Sequence, residues 1–442
     1  MKTNQQKSER DSFNSRIGFV LACIGSAIGM GNIWLFPYRV GQYGGAAFLI
    51  PYFIFIAVIG FTGVIGEMSF GRAMGTGPLG AFRKASQMRG GNWGEWIGMI
   101  PVLGSLGIAI GYSVVVGWIL RFFAGSVTGS ALSEEAESYF GALASNFGSV
   151  PWHIIGLAIV FICMAYGIST GIEKLNKIMI PAFFLLFIIM AVRIFMLENA
   201  KDGIIYMLKP NWDILAQPQT WVYALGQAFF SLSLAGSGTI VYGSYLKKTE
   251  DVVKSAKNVA LFDTLASLLA VFVIIPAVFA FGLNPASGPP LMFITMPKVF
   301  QMMPMGRIFA IIFFLAVFCA AVTSLVNLFE TPVEALQEKF GLSRKKAVAV
   351  IAVIAAVVGV CIESGDSVSV WMDIVSIYII PLGALLAAIM LFWVCGSKFA
   401  REQAQMGRQK VIGKWFEPMT KYVFVGLTLF VYIMGIFYNG IG

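Results

Sequence analysis

Gly25-Ser26-Ala27-Ile28-Gly29-Met30-Gly31-Asn32 interrupts an apolar run from about Ile17 to Val40 that is long enough to span a bilayer. Each glycine in that stretch weakens a helix by roughly 1 kcal/mol relative to alanine. Inside hydrocarbon, backbone that leaves the helix is tolerated only where it is buried in protein or lines a cavity. A second interruption, Ser231-Leu232-Ser233-Leu234-Ala235-Gly236-Ser237-Gly238, lies in another apolar run in the other half of the chain. Two interrupted helices in corresponding halves of a membrane chain point to a transporter whose binding site is at the breaks.

Working outward, the 442 residues are 58% hydrophobic and only 12% charged. Soluble domains carry about 25% charge, so a polytopic membrane protein is expected. Eleven spans are read at about 17–40, 46–71, 97–125, 152–169, 176–196, 219–246, 257–282, 306–335, 345–362, 370–395 and 419–438. The net charge of +9 is a loop bias. Most basic residues, among them Arg72, Arg83, Lys84, Arg89, Lys247, Lys248, Arg344, Lys345 and Lys346, fall on one side, whereas the loop with Glu134, Glu135 and Glu137 has no basic residue. That asymmetry places the N-terminus in the cytoplasm and, with an odd number of spans, the C-terminus outside, and it removes the case for a nucleic-acid partner. The polar first fifteen or so residues lack a small-residue cleavage site and do not read as a signal peptide. Residues 1–16 are expected to form a cytoplasmic segment, 17–196 a first repeat of helices 1–5, 219–395 a second repeat of helices 6–10, and 396–442 a cytoplasmic loop and helix 11. The five cysteines make no paired motif and His153 is the only histidine, so a zinc site or a Cys/His catalytic pair is unsupported and no enzyme activity is expected.

A chain that leaves the helix frees carbonyls and amides. Carbonyls of Gly25, Ala27 and Ile28 suit a small cation, Asn32 adds a side-chain oxygen, and amides of Met30 and Gly31 open a half-helix whose positive end suits a carboxylate. A glycine-lined helix contact is the structural alternative. At the second break Phe230, Ser231 and Ser233 offer carbonyls and hydroxyls, or the hydroxyls bond back within a kinked helix. Asp263 sits in an apolar span with no basic residue close to it on the C-terminal side. A charge there costs at least about 2.5–3.5 kcal/mol, so a bound cation is the expected partner and a protonated structural Asp the alternative. Thr323 and Ser324 are oxygen donors suited to a hard alkali cation. Glu67 is the other inward acid, read as structural and bonding free amides of a broken helix. Tyr112 is either a core aromatic or a hydroxyl donor to a carboxylate.

These residues converge on a resemblance to the neurotransmitter:sodium symporters, which covers essentially the whole chain. It is carried by Gly29-Met30-Gly31-Asn32-Ile33-Trp34-Leu35-Phe36-Pro37-Tyr38, Gly44-Gly45-Ala46-Ala47-Phe48-Leu49-Ile50-Pro51-Tyr52, Gly226-Gln227-Ala228-Phe229-Phe230-Ser231-Leu232-Ser233 and Gly341-Leu342-Ser343-Arg344-Lys345. Eleven spans resemble the bacterial branch. The resemblance implies an all-α LeuT-type 5+5 inverted-repeat fold with discontinuous helices 1 and 6, plus helix 11. It also implies sodium-coupled import of a neutral amino acid through a plasma (inner) membrane, by a monomer or weak homodimer in the lipid bilayer.

By position, the resemblance assigns one sodium to Ala27, Asn32, Ser231 and Asp263, and a second to Gly25, Ile28, Ala320, Thr323 and Ser324. The substrate carboxylate would meet Met30, Gly31 and Tyr112, and its ammonium Ala27, Phe230 and Ser231. The side-chain pocket would use Ile108, Phe230, Ser233, Gly236, Ser324 and Leu328. Arg10 and Glu338 match a closing ion pair, and Gly171 and Pro181 a segment of helix 5 that unwinds. Leu35 stands where relatives often carry Arg or Lys, leaving Arg39 as a substitute partner for Asp373 in an outer gate. Asp263 stands where chloride-dependent members have Asn, so no chloride is expected. Gly236 stands where the leucine member has a bulky aromatic, so large hydrophobic or aromatic substrates are expected; a small amino acid, an amine or an osmolyte of the taurine or betaine kind is the alternative.

Overall fold

In hydrocarbon a backbone must satisfy its own amides and carbonyls, and apolar runs of this length therefore fold as helices. The computed structural model describes residues 13–234, 237–285 and 291–441 and is almost wholly helical. Among the described residues seven helices are long and apolar enough to cross a membrane: Ala46–Met74, Gly94–Thr128, Ile168–Phe195, Val252–Ala280, Gly306–Phe340, Gly365–Gln405 and Phe416–Phe437. The pair Arg16–Ala27 and Gly31–Gln42, bent by 51°, makes an eighth. The other expected spans are present as helices that are shorter or more charged. Val150–Ala165 has 16 residues, Pro218–Ser231 and Gly238–Ser244 flank the second break, and Arg344–Cys361 opens on three basic residues. Lipid-facing positions recur at helical spacing, as at Ile178, Leu185 and Val192, which are exposed although apolar.

Several boundaries differ from the sequence expectation for local reasons. The fourth span stops at Ala165 because Gly167 takes φ +92°, and the fifth starts at Ile168, well before 176, through a π-helical turn over Ile168–Ile172. Gly171 lies in that turn, where a β-carbon would come within 2.0 Å of the Cys163 carbonyl oxygen. The tenth helix runs to Gln405, past the expected end at 395, by reorienting at Gly396, φ +98°. The eighth continues to Phe340 and ends where Gly341 takes φ +62°.

The helices enclose the broken ones. Span 3 packs along span 8, and the half-helix Arg16–Ala27 lies against spans 5, 7 and 8. On the side of the basic loops, buried rings and ion pairs pack the described residues together. Phe13 is buried among the rings of Phe19, Tyr242 and Tyr245, at 5.4, 5.6 and 6.3 Å between centroids. On the same side Glu338 accepts from Arg83 and Thr76, and Glu330 takes a two-pronged bond from Arg344, both contacts at 2.8 Å.

Candidate functional site

The first break is short. Ile28 has φ −73° and ψ 112°, which ends the first half-helix, and a π-helical turn over Gly31–Leu35 starts the second. Asn32 closes this corner by accepting from the Gly29 amide at 3.0 Å. The carbonyls of Gly25, Ala27 and Ile28 receive no hydrogen bond among the described residues. Glycine at 31 lets the Phe230 ring approach, because a β-carbon there would be 2.8 Å from its Cδ1. At the second break Ser233 and Ser237 both take φ +53°, a left-handed conformation that costs a non-glycine residue energy and that clusters at functional sites. Ser233 holds the two breaks together by donating to the Ser26 carbonyl at 2.8 Å, and Ser324 donates to the same oxygen at 3.4 Å.

Behind the breaks lies a fully buried polar knot. Asn32 donates to Asp263 Oδ1 at 2.7 Å and to Ser267 Oγ at 2.7 Å, and Ser231 donates to Asp263 Oδ2 at 2.6 Å. Asp263 has no basic partner within ion-pair distance among the described residues. The Ala27 carbonyl, at the end of the first half-helix, is unclaimed among the described residues. On the neighbouring face of the first half-helix, Thr323 donates to Ala320 O at 3.0 Å. Oxygen atoms from four separate elements therefore converge on the break, the donor chemistry that hard cations prefer.

In front of the breaks is a cavity of about 690 Å³. Ala27, Met30, Gly31, Ile108, Tyr112, Phe230, Ser233, Ser324 and Leu328 all line it. It reaches past Asp373 to Phe140, Gly141, Ala144, Gly365 and Asp366, on the side of the acidic loop. The Met30 amide donates to Tyr112 Oη at 3.1 Å, so the phenol accepts here and still carries a proton of its own to donate. Ser231 lies behind the wall in the Asp263 knot, and Gly236 and Arg10 lie outside the described residues.

Glu338 meets Arg83 and Thr76 among the described residues. Asp373 and Arg39 form no ion pair; Arg39 stacks over Tyr223, its guanidinium carbon 4.2 Å from the ring centre. Glu67 receives the Thr239 hydroxyl, so among the described residues its bond is to a side chain at the start of the half-helix and not to an amide. Gly171 and Pro181 both lie on the fifth span. Reading the sequence missed Gln227, whose amide donates to the Gly31 carbonyl at 3.1 Å. It also missed Ser267 and Asn327; a polar residue facing inward at helical spacing from Asp263 or Thr323 was the available signal.

Two interrupted helices meeting at a cavity halfway through a helical bundle, with charge and oxygen donors held at the breaks, define a secondary transporter. The family model for the sodium:neurotransmitter symporter family matches residues 10–141 and 132–439, and the chain belongs to that family. It is 35% identical over 394 residues to an uncharacterized sodium-dependent transporter of Bacillus subtilis, YhdH, with 85% of this chain and 86% of the relative aligned. It is 31% identical over 296 residues to the mouse sodium-dependent neutral amino acid transporter B(0)AT3, which aligns with 60% of this chain and 47% of the relative. A crystal structure of MhsT in complex with L-phenylalanine is similar at a TM-score of 0.86 and 33% identity, covering 96% of this chain and all of that one. The protein is thus a sodium-coupled, multi-pass membrane transporter of LeuT-type fold.

Proposed function

We propose that this transporter imports neutral L-amino acids with large hydrophobic or aromatic side chains, together with two sodium ions and without chloride. The observation that carries the reading is the cavity at the breaks, large and mostly apolar, with the backbone of Ala27, Met30 and Gly31 and the Tyr112 hydroxyl at its break-side end. An amino acid is polar at one end in the same way. Its carboxylate would take the free Gly31 amide and the Tyr112 proton, and its ammonium the carbonyls of Ala27, Phe230 and Ser231. The side chain would then lie among Ile108, Phe230 and Leu328. MhsT binds L-phenylalanine in the similar structure, which supports this class.

The unclaimed carbonyls and the unpaired Asp263 fit sodium, which is cargo here. One ion would be held by Ala27, Asn32, Ser231, Asp263 and the substrate carboxylate. The second would be held by Gly25, Ile28 and Ala320 carbonyls with Thr323 and Ser324. Asp263 supplies the negative charge that chloride would otherwise bring. Each ligand completes the other's site, so their affinities rise together. The cavity extends towards the acidic loop, and Phe13 and the Arg83–Glu338 contact pack the described residues on the other side. With the N-terminus cytoplasmic and the C-terminus outside in the plasma membrane, this would be an outward-facing state, in a monomer or weak homodimer. Residues 17–196 and 219–395 are the two repeats that rock about the site. Inward sodium movement would add about 2.3 kcal/mol per net charge per 100 mV.

The test is uptake into proteoliposomes under an inward sodium gradient, with chloride replaced by gluconate. Phenylalanine, tryptophan and leucine should accumulate. Uptake confined to alanine or glycine, to taurine or betaine, or to chloride medium overturns the substrate or ion assignment.

A further inference from the structure

Asn176, on the fifth span, is fully buried. Its Nδ2 donates to the Ile172 carbonyl, one turn earlier, at 2.9 Å. That bond fixes the orientation of the amide, because the reverse arrangement would set two acceptor oxygens against each other. Oδ1 then points the other way and has no hydrogen-bond partner. It points at Gly25: a β-carbon on Gly25 would lie 2.0 Å from Asn176 Oδ1 and 3.0 Å from Thr323 Cβ. Glycine at 25 is what allows the amide oxygen to rest against the backbone of the first half-helix, on the side where Thr323 also packs.

Among the described residues no group donates a hydrogen bond to this oxygen. The Thr323 hydroxyl spends its proton on the Ala320 carbonyl at 3.0 Å. The Ser324 hydroxyl spends its proton on the Ser26 carbonyl at 3.4 Å. Among the described residues the Gly25 and Ile28 carbonyls are acceptors without donors. Ile180 Cδ1 closes the remaining side of Gly25, 3.1 Å from the β-carbon position. A buried set of oxygen atoms to which no donor is bonded is stabilised by a cation.

We propose that Asn176 Oδ1 is a further oxygen ligand of the sodium assigned to Gly25, Ile28, Ala320, Thr323 and Ser324, an inference that rests on the two-sodium reading above. Through Nδ2 the same side chain grips Ile172, the last residue of the π-helical turn that contains Gly171. Occupancy of the ion site thereby holds the amide in place and braces that turn. Departure of the ion frees the amide and removes the brace.

The experiment compares the wild-type chain with Asn176→Ala and Asn176→Ser in detergent. Serine can keep a bond to the Ile172 carbonyl while losing the oxygen aimed at Gly25. Three quantities are read: the melting temperature without sodium, the sodium concentration for half-maximal stabilisation without amino acid, and phenylalanine affinity at saturating sodium. Both variants should need about tenfold more sodium, with phenylalanine affinity at saturating sodium within about twofold of wild type, and with Asn176→Ser melting near wild type when sodium is absent. Unchanged sodium dependence in both variants overturns the role of Asn176 while leaving the symporter reading intact. A loss confined to the sodium-free melting temperature also overturns it and makes Asn176 a structural residue. A wild-type protein that ignores sodium overturns both readings at once.

Discussion

Replacing Asp263 by Asn keeps the shape of the side chain and removes its charge. Asp263 is fully buried and accepts from Ser231 at 2.6 Å and from Asn32 at 2.7 Å, and no lysine, arginine or histidine balances it among the described residues. A sodium ion beside it would be the main compensation. Two unit charges about 4 Å apart attract by about 4 kcal/mol at an effective dielectric constant of about 20. Desolvating the carboxylate offsets part of that, so Asp263→Asn should weaken sodium by about 3 kcal/mol, roughly 100-fold. The Asn variant should also recover several-fold in sodium affinity when gluconate is exchanged for chloride, since an anion can then supply the missing charge. The assay is equilibrium binding of radiolabelled phenylalanine to purified protein, titrated with sodium gluconate and with sodium chloride. Wild-type sodium dependence in the Asn variant, in gluconate, would remove Asp263 from the cation site.

Tyr112→Phe removes the hydroxyl that accepts from Met30 and faces the cavity; phenylalanine affinity at saturating sodium should fall by about 1–2 kcal/mol, and a shift under twofold would exclude contact with the carboxylate. Glu363→Leu leaves His153 Nδ1, bonded at 3.0 Å, and the Ser149 hydroxyl without their partner in a buried site. The cost should be about 2–4 kcal/mol of stability, seen as a lower melting temperature, and an unchanged value would show the network to be idle. Gly236→Phe should weaken tryptophan more than alanine in competition binding. Equal loss for both would dissociate residue 236 from side-chain selection.

The breaks were legible because glycine and asparagine in hydrocarbon have few explanations, and Asp263 because no nearby base could pair with it along the helix. Lining positions such as Ile108 and Leu328 became legible only through family resemblance, since an apolar residue on an apolar helix carries no local mark. What stayed hidden was pairing across the bundle. Asn32 reaches Ser231 and Asp263 over separations of 199 and 231 residues, and no periodicity encodes such a contact. Glu338 illustrates the same limit: the matched partner Arg10 lies outside the described residues, while the contact to Arg83 depends on how the loop after the second span folds back. The early start of the fifth span was missed because Gly167 and Gly171 look alike in sequence. One of them turns the chain, and the other sits inside the following π-turn.

Reciprocal linkage between sodium and amino acid is the most direct test. Radiolabelled phenylalanine binding should be measured on purified protein across sodium concentrations, and sodium-22 binding across phenylalanine concentrations. If the carboxylate completes a sodium site beside Asp263, sodium strengthens phenylalanine by some factor and phenylalanine strengthens sodium by the same factor, with no effect of potassium. Phenylalanine binding of equal strength in sodium and potassium would place the amino acid away from the cation and contradict a shared site at the two breaks.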